Sequence, residues 1–295
     1  MQALWMVLAA LLFASMSVCI KFASAHFGTM ELVCYRGAVG VLVMALWCRV
    51  RTVPLRTDVL PMHIWRSTVG VTSLAAWFYA IGKLPLATAM TLNYMSGVWV
   101  ATFLVGGTLI MGKTSDLRRQ GPIVLTVLAS FAGVVMLLRP TIEHNQALAG
   151  LVGLLSGISA AFAYMQVAAL GKVGEPEPRT VFYFSCGATV SGAVGMLFTG
   201  ITPWVWPHAL WIIPIGVLAA LGQLCLTYAY SNGATLVVAN LQYSGIVFAA
   251  LYGLVLFGDQ IPLQGWGGMA LIIASGIAST ALRRHALPDP PAEEL

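Results

Sequence analysis

Charged residues make up only 8% of this 295-residue sequence, against about a quarter in soluble domains. A water-soluble fold of this length cannot cover its surface with so few charges, so lipid must be the solvent for much of the chain. Acidic groups are scarcer than basic ones, and none sits in the middle of an apolar stretch. Asp58, Asp116, Glu143, Glu175, Glu177, Asp289, Glu293 and Glu294 fall in loops, at span ends or in the tail, with Glu31 and Asp259 nearest the membrane. A proton-coupled pump or polycation exporter usually keeps a carboxylate at mid-depth. The histidines (His26, His63, His144, His208, His285) are equally peripheral. There is no GxSxG, no HExxH and no mid-span His or Asp, which argues against an intramembrane protease or transferase. The five cysteines, Cys19, Cys34, Cys48, Cys186 and Cys225, show no CxxC spacing. Scattered at lipid depth and odd in number, they suit neither a disulfide framework nor a zinc site. No metal or cofactor is expected. The net charge of +5 comes without a basic run or interleaved aromatics, so no nucleic-acid partner is expected either.

What the chain has instead is long apolar runs: 59% hydrophobic residues and a mean hydropathy of +0.87. A membrane helix needs roughly 20 such residues. Punctuation by charge, Pro and Gly predicts ten spans, at about 3–24, 29–48, 65–83, 86–111, 121–139, 148–171, 180–199, 208–230, 234–257 and 264–282. Unbroken runs favour helices over a barrel, which needs alternation at every second residue. Ala23-Ser24-Ala25 resembles a signal cleavage site, but no Lys or Arg precedes the run and the run is too long. The first segment therefore reads as a retained span. Tight turns at 82–85 and at Ser231-Asn232-Gly233 make spans three and four, and eight and nine, hairpin neighbours.

Positive charge sets the orientation. With the N-terminus cytoplasmic, the inside segments hold Arg49, Arg51, Arg56, Arg66, Lys113, Arg118, Arg119, Lys172, Arg179, Arg283 and Arg284, and the outside only Lys83 and Arg139. An even number of spans returns the C-terminus to the cytoplasm, and residues 285–295 read as a disordered tail. The predicted location is the inner (plasma) membrane, multi-pass. Trp5, Trp65, Trp204, Trp206 and Trp211 fall near span ends, as an aromatic belt requires.

The halves resemble each other. Tyr79-Ala80, a tight turn and Asn93-Tyr94 recur as Tyr228-Ala229, a tight turn and Gln242-Tyr243 at one constant spacing. Met111-Gly112-Lys113 then parallels Phe257-Gly258-Asp259, and Phe131-Ala132-Gly133-Val134 parallels Ala274-Ser275-Gly276-Ile277. Each copy holds five spans, and an odd repeat must insert with opposite polarity, the inverted architecture of many transporters. The expected fold is thus an all-α membrane protein of ten transmembrane helices in two inverted-topology five-helix repeats. Residues 1–140 form the first repeat, 141–147 an external linker and 148–284 the second repeat.

With Phe78-Tyr79-Ala80-Ile81, Leu84-Pro85-Leu86-Ala87-Thr88-Ala89, Gly112, Gln120 and Gly121, and their counterparts Tyr228-Ala229-Tyr230, Gly258, Gln264 and Gly265, the chain resembles the ten-span branch of the drug/metabolite transporter superfamily. Arg36 fits the family's habit of an arginine in the second span. The family often places Glu after the glycine ending spans four and nine; here Lys113 and Asp259 stand there. The resemblance implies a small-molecule transporter, most like bacterial amino-acid exporters. The alternative is efflux of other small organic solutes, such as aromatic cations, nucleosides or drugs, with or without proton coupling. The repeat is compatible with a functional monomer.

In inverted-repeat transporters the substrate binds near the midplane between the halves. The candidates are polar and aromatic residues inside apolar spans: Trp77 and Tyr79 in the third, Asn93, Tyr94 and Trp99 in the fourth, Tyr164 in the sixth, Gln223 in the eighth, and Asn240, Gln242 and Tyr243 in the ninth. Antiparallel spans four and nine would put Tyr94 in an outer vestibule and Tyr243 in an inner one. The plainer reading is interhelical hydrogen-bond glue, at about 0.6–2 kcal/mol per bond. Arg36 lies roughly 10 Å into its span at 1.5 Å per residue. It either holds a substrate carboxylate as a bidentate partner or pairs with carbonyls and snorkels outward. A neutral, aromatic-lined cavity without a titratable centre points to a facilitator or exchanger.

Overall fold

The computed structural model describes residues 4–84, 86–110, 114–138, 146–204, 206–258 and 260–286. Lys113, Arg139, Asp259, most of the expected linker and the tail beyond residue 286 lie outside the described residues.

Every regular element among the described residues is helical. The chain runs α1 (Leu4–Ala23), α2 (Thr29–Val50), α3 (Leu60–Lys83), α4 (Leu86–Tyr94), α5 (Ser96–Ile110), α6 (Thr114–Leu138), α7 (Ala147–Lys172), α8 (Glu177–Thr199), a 3-10 turn (His208–Trp211), α9 (Ile212–Asn232), α10 (Thr235–Leu241), α11 (Ser244–Phe257) and α12 (Leu263–Ala286). By length and composition, nine stretches among the described residues can cross a membrane. Helix α3 is not among them, because His63, Arg66, Ser67, Thr68 and Lys83 dilute its apolar content.

Two expected helices are broken. The stretch 86–111 divides at Met95 into α4 and α5, and 234–257 divides at Gln242-Tyr243 into α10 and α11. The first break is slight: the Met95 amide still reaches the Thr91 carbonyl at 3.1 Å, and the Trp99 amide that of Met95 at 2.9 Å. The second tightens into three-residue bonds, with Tyr243, Gly245 and Ile246 donating to the carbonyls of Asn240, Gln242 and Tyr243. Hydropathy cannot see either interruption, because the few polar residues at each, Asn93 and Ser96 or Gln242 and Ser244, are outweighed by apolar neighbours across a span-length window.

The helices pack as antiparallel partners: α2 on α8, α6 on α12, α3 on α7 and α1 on α9. Glycines set these crossings. A Cβ added at Gly133 would stand 2.6 Å from the Gly268 carbonyl oxygen, and one at Gly268 would stand 2.5 Å from that of Gly133. Backbone therefore meets backbone where α6 crosses α12, as small residues allow between membrane helices. On α2 and α8, a Cβ at Gly192 would sit 2.5 Å from the Cys34 amide nitrogen. Gly153 and Gly157 press α7 onto α4, with Gly157 2.5 Å from the Leu92 carbonyl by the same measure.

The largest core cluster joins Met6, Val127, Val134, Val167, Tyr230, Val238, Tyr243, Ile246 and Met269 at the centre of the bundle. Large apolar side chains face outward too: Leu42 is 70% exposed, Phe198 85% and Ile110 89%. In water such a surface would be an aggregation liability; against acyl chains it is the required coat. All five cysteines are free.

Candidate functional site

The two helix breaks meet. Tyr94 and Tyr243, the last residue of α4 and the residue before α11, face each other with ring centroids 6.3 Å apart. Each ring lies over a glycine of the opposing segment, the Tyr243 hydroxyl against Gly97 and the Tyr94 hydroxyl against Gly245. The expectation of one tyrosine in an outer vestibule and the other in an inner one is thereby corrected. Both occupy one level, because each sits at the break near the middle of its span.

Around this contact the polar candidates divide into networks. Gln242 donates from Nε2 to the Tyr164 hydroxyl at 3.2 Å and accepts from the Tyr230 hydroxyl at 3.2 Å. The rings of Tyr164 and Tyr230 stack 5.1 Å apart and 9° from parallel. Asn240 is 1% exposed and fully engaged. Its Nδ2 donates to Thr126 Oγ1 and to the Ser275 carbonyl, both at 3.1 Å, while Ser130 Oγ donates to its Oδ1. With both Nδ2 hydrogens and Oδ1 bonded to α6 or α12, Asn240 has the geometry of interhelical glue. Asn93 donates to Ser156 Oγ at 3.2 Å, and Ser73 donates to the Ser156 carbonyl at 2.9 Å. Trp99 stacks on Phe103, which stacks on Phe162. Trp77 is half-buried on α3. Tyr79 is 44% exposed on the outside of the bundle and does not join the others.

A second group gathers around Phe184. Arg36, Gly37, Gly40, Ser185, Ala219 and Gln223 line a cleft between α2, α8 and α9, with Phe184 as one wall and about 10 Å³ of free volume. That holds a water and no metabolite. On the same ring lies the guanidinium of Arg66, 4.4 Å from the centroid. Arg66 was counted among the cytoplasmic edge charges. The helix instead begins at Leu60, five residues before the expected span, and carries Arg66 into the protein, where it is only 4% exposed. Its side chain reaches along the face opened by Gly70. A Gly one helical turn beyond a span-edge Arg is the signal in the sequence for this placement.

Each end of the bundle carries a carboxylate clamp. Glu31 is 1% exposed and accepts from the amides of Gly28 at 2.6 Å and Thr202 at 2.8 Å, and from the Thr202 hydroxyl at 2.7 Å. It ties the α1–α2 turn to the segment after α8. At the other end Glu175 accepts from Thr57 Oγ1 at 2.6 Å, pairs with His63 Nε2 at 3.2 Å and takes both oxygens to Arg179. Arg179 Nε adds a bond to the Pro54 carbonyl at 2.8 Å. Burial raises the Glu175 carboxyl, but its bonds to Thr57, His63 and Arg179 outweigh that and hold it below the ordinary range. Burial likewise pushes the His63 imidazole down, against the raising effect of Glu175.

No family model matches the chain. Among curated proteins it is 32% identical over 270 residues to the pseudopaline exporter of Pseudomonas aeruginosa, covering 91% of this chain and 92% of that one. It is 31% identical to an uncharacterized transporter of Helicobacter pylori, over 92% and 91% of the two chains. A riboflavin transporter of Vibrio cholerae is 24% identical over 92% of this chain and 90% of its own. One crystal structure shares the fold at a TM-score of 0.78, with 18% identity over 96% of this chain and 98% of the other. An all-helical bundle with an apolar coat and relatives of this kind defines a multi-pass membrane transporter of small molecules, and not an enzyme. The chain belongs to the drug/metabolite transporter superfamily.

Proposed function

We propose that this protein exports small organic metabolites across the inner (plasma) membrane by alternating access between two inverted halves, with both termini in the cytoplasm. The observation that carries the reading is the set of helix contacts. Take the first half as α1, α2, α3, α4–α5 and α6, and the second as α7, α8, α9, α10–α11 and α12. Exchanging the halves maps α2·α8 and α6·α12 onto themselves. It also swaps α1·α9 with α3·α7, α2·α9 with α3·α8, and α1·α11 with α5·α7, every pair of which is present. These matched pairings support two conformations related by the exchange, one open to each side, while α7·α9 and α8·α9, which have no equally close counterparts in α1·α3 and α2·α3, set the halves apart in the present one. On this reading α3 is the tenth span, packed along one face against α7 and α8.

The amino-acid expectation becomes one member of a wider class, since the relatives named for a cargo carry pseudopaline and riboflavin. A facilitative or exchange mechanism is supported by the position of the described carboxylates, which cap the bundle ends and leave its middle without an acid. The test is counterflow in proteoliposomes with labelled leucine, phenylalanine, glutamate, succinate and riboflavin, with and without a pH gradient. Saturable counterflow indifferent to the gradient is expected. Movement that requires the gradient overturns the facilitative mechanism, and absence of saturable movement of any solute overturns the transport reading.

A further inference from the structure

Among the described residues, the bundle interior holds Arg36 and Arg66 and no acid bonded to either. Arg66 is 4% exposed, and its Nε and one terminal nitrogen have no hydrogen-bond partner. Arg36 lines the cleft that Phe184 walls, together with Gln223, whose Oε1 is also buried and unpartnered. Glu175, which bonds His63 in the first turn of the helix that carries Arg66, already serves Arg179, His63 and Thr57, and Glu31 serves Thr202 and Gly28 at the other end. An unpaired buried cation is costly and persists where something else completes it. The face of Phe184 attracts the Arg66 guanidinium, yet a ring face leaves the in-plane N–H groups at Nε and Nη1 unfilled, one on each fork that shares Nη2. Either fork fits the two oxygens of a carboxylate.

We infer that Arg36, in the cleft walled by Phe184, and Arg66, on the ring of Phe184, form the oxyanion subsites of the transport site, so that the exported metabolite carries at least two carboxylates. This rests on the transport reading above and names the class of its solute. Two positive charges with no resident acid favour a dianion, which leaves the loaded interior near neutral and able to reorient. They disfavour aromatic cations, which Tyr and Trp faces alone would accept. The cleft as it stands is water-sized, so opening of α2 and α3 away from α8 and α9 admits the solute, with Gln223 Oε1 accepting from an N–H or O–H group on it. An amino acid with an acidic side chain meets the requirement; leucine meets half of it.

The same counterflow assay separates the outcomes, with wild type compared against Arg36→Gln, Arg66→Gln, Arg66→Lys and Arg36→Lys, each checked for monodispersity. Glutamate and succinate are expected to exchange at least about tenfold better than leucine, and each Gln variant to raise their half-saturation by about tenfold or more, as loss of one charged bidentate bond implies. The Lys variants recover part of that loss, because charge is restored without the fork. If leucine exchanges as well as succinate and the Gln variants leave both unchanged, the transport reading stands and the oxyanion inference falls. If thermal stability responds to phosphatidylglycerol in an Arg66-dependent way and not to succinate, the occupant is a lipid phosphate and the inference falls as well. No counterflow of any probe by monodisperse wild type removes both.

Discussion

At the scale of single residues, the candidate list mixed two kinds of polar side chain that sequence cannot separate. Asn240 and Gln242 stand two positions apart in the same segment. The first is consumed by Thr126, Ser130 and Ser275, and the second joins the tyrosines at the centre. Which way an amide points depends on neighbours contributed by α6, α7, α9 and α12, most of them far off in sequence. Asn240→Ala removes three interhelical bonds. At about 0.6 kcal/mol each, the membrane average, the loss is roughly 2 kcal/mol, so thermal denaturation in detergent should fall measurably. The half-saturation for transport should be unchanged in the surviving protein; a large rise in it would return Asn240 to the binding site. Arg66 shows the opposite error. Its charge placed it among topology signals, and only the earlier start of α3 and the gap at Gly70 bring it inside.

At the scale of elements, hydropathy located the spans well because burial in lipid depends on summed composition, which a window of 20 residues reports. The span expected at 65–83 is a helix whose composition falls short of a membrane span, and both mid-helix breaks go unread because they depend on local backbone geometry. The crossing of α6 and α12 tests how tightly elements are fixed. Gly133 meets the Gly268 carbonyl, a backbone atom that cannot rotate away. Gly133→Leu therefore has to push the helices apart, at a cost of about 1–3 kcal/mol typical of overpacking. The expected result is a lower melting temperature and lower yield, with Gly267→Leu as the control, since a Cβ there approaches only the tip of Met136 at 3.6 Å. Equal effects at the two positions would mean that the close crossing is not what holds this pair together.

At the scale of the whole molecule, the two clamps stand at opposite ends and differ in chemistry. Glu31 is held by a hydroxyl and backbone amides, whereas Glu175 is held by Thr57, His63 and Arg179. His63 lies in the first turn of α3, before the expected span, and it faces Glu175, Arg179 and the stacked ring of Tyr183. Both His63 and Glu175 titrate lower when folded than when unfolded. For each, the stabilisation is complete above the unfolded value and is lost as pH falls through the folded one. Starting from ordinary values of about 6.5 for imidazole and 4.3 for a carboxyl, the His63 contribution goes first on acidification and that of Glu175 follows. Hydrogen exchange in residues 54–63 should therefore quicken between pH 7 and pH 5, and His63→Gln should flatten that response. An unchanged profile in the variant would assign the response elsewhere.

Unequal catches give a carrier unequal residence on its two sides without giving it a preferred direction. If uncoupled, it must show the same ratio of maximal rate to half-saturation whichever face is loaded. Half-saturation itself is free to differ between the faces, in proportion to how long each catch holds. Proton concentration in the compartment beside His63 would then tune how readily the transporter fills from that side while leaving the final distribution of solute untouched.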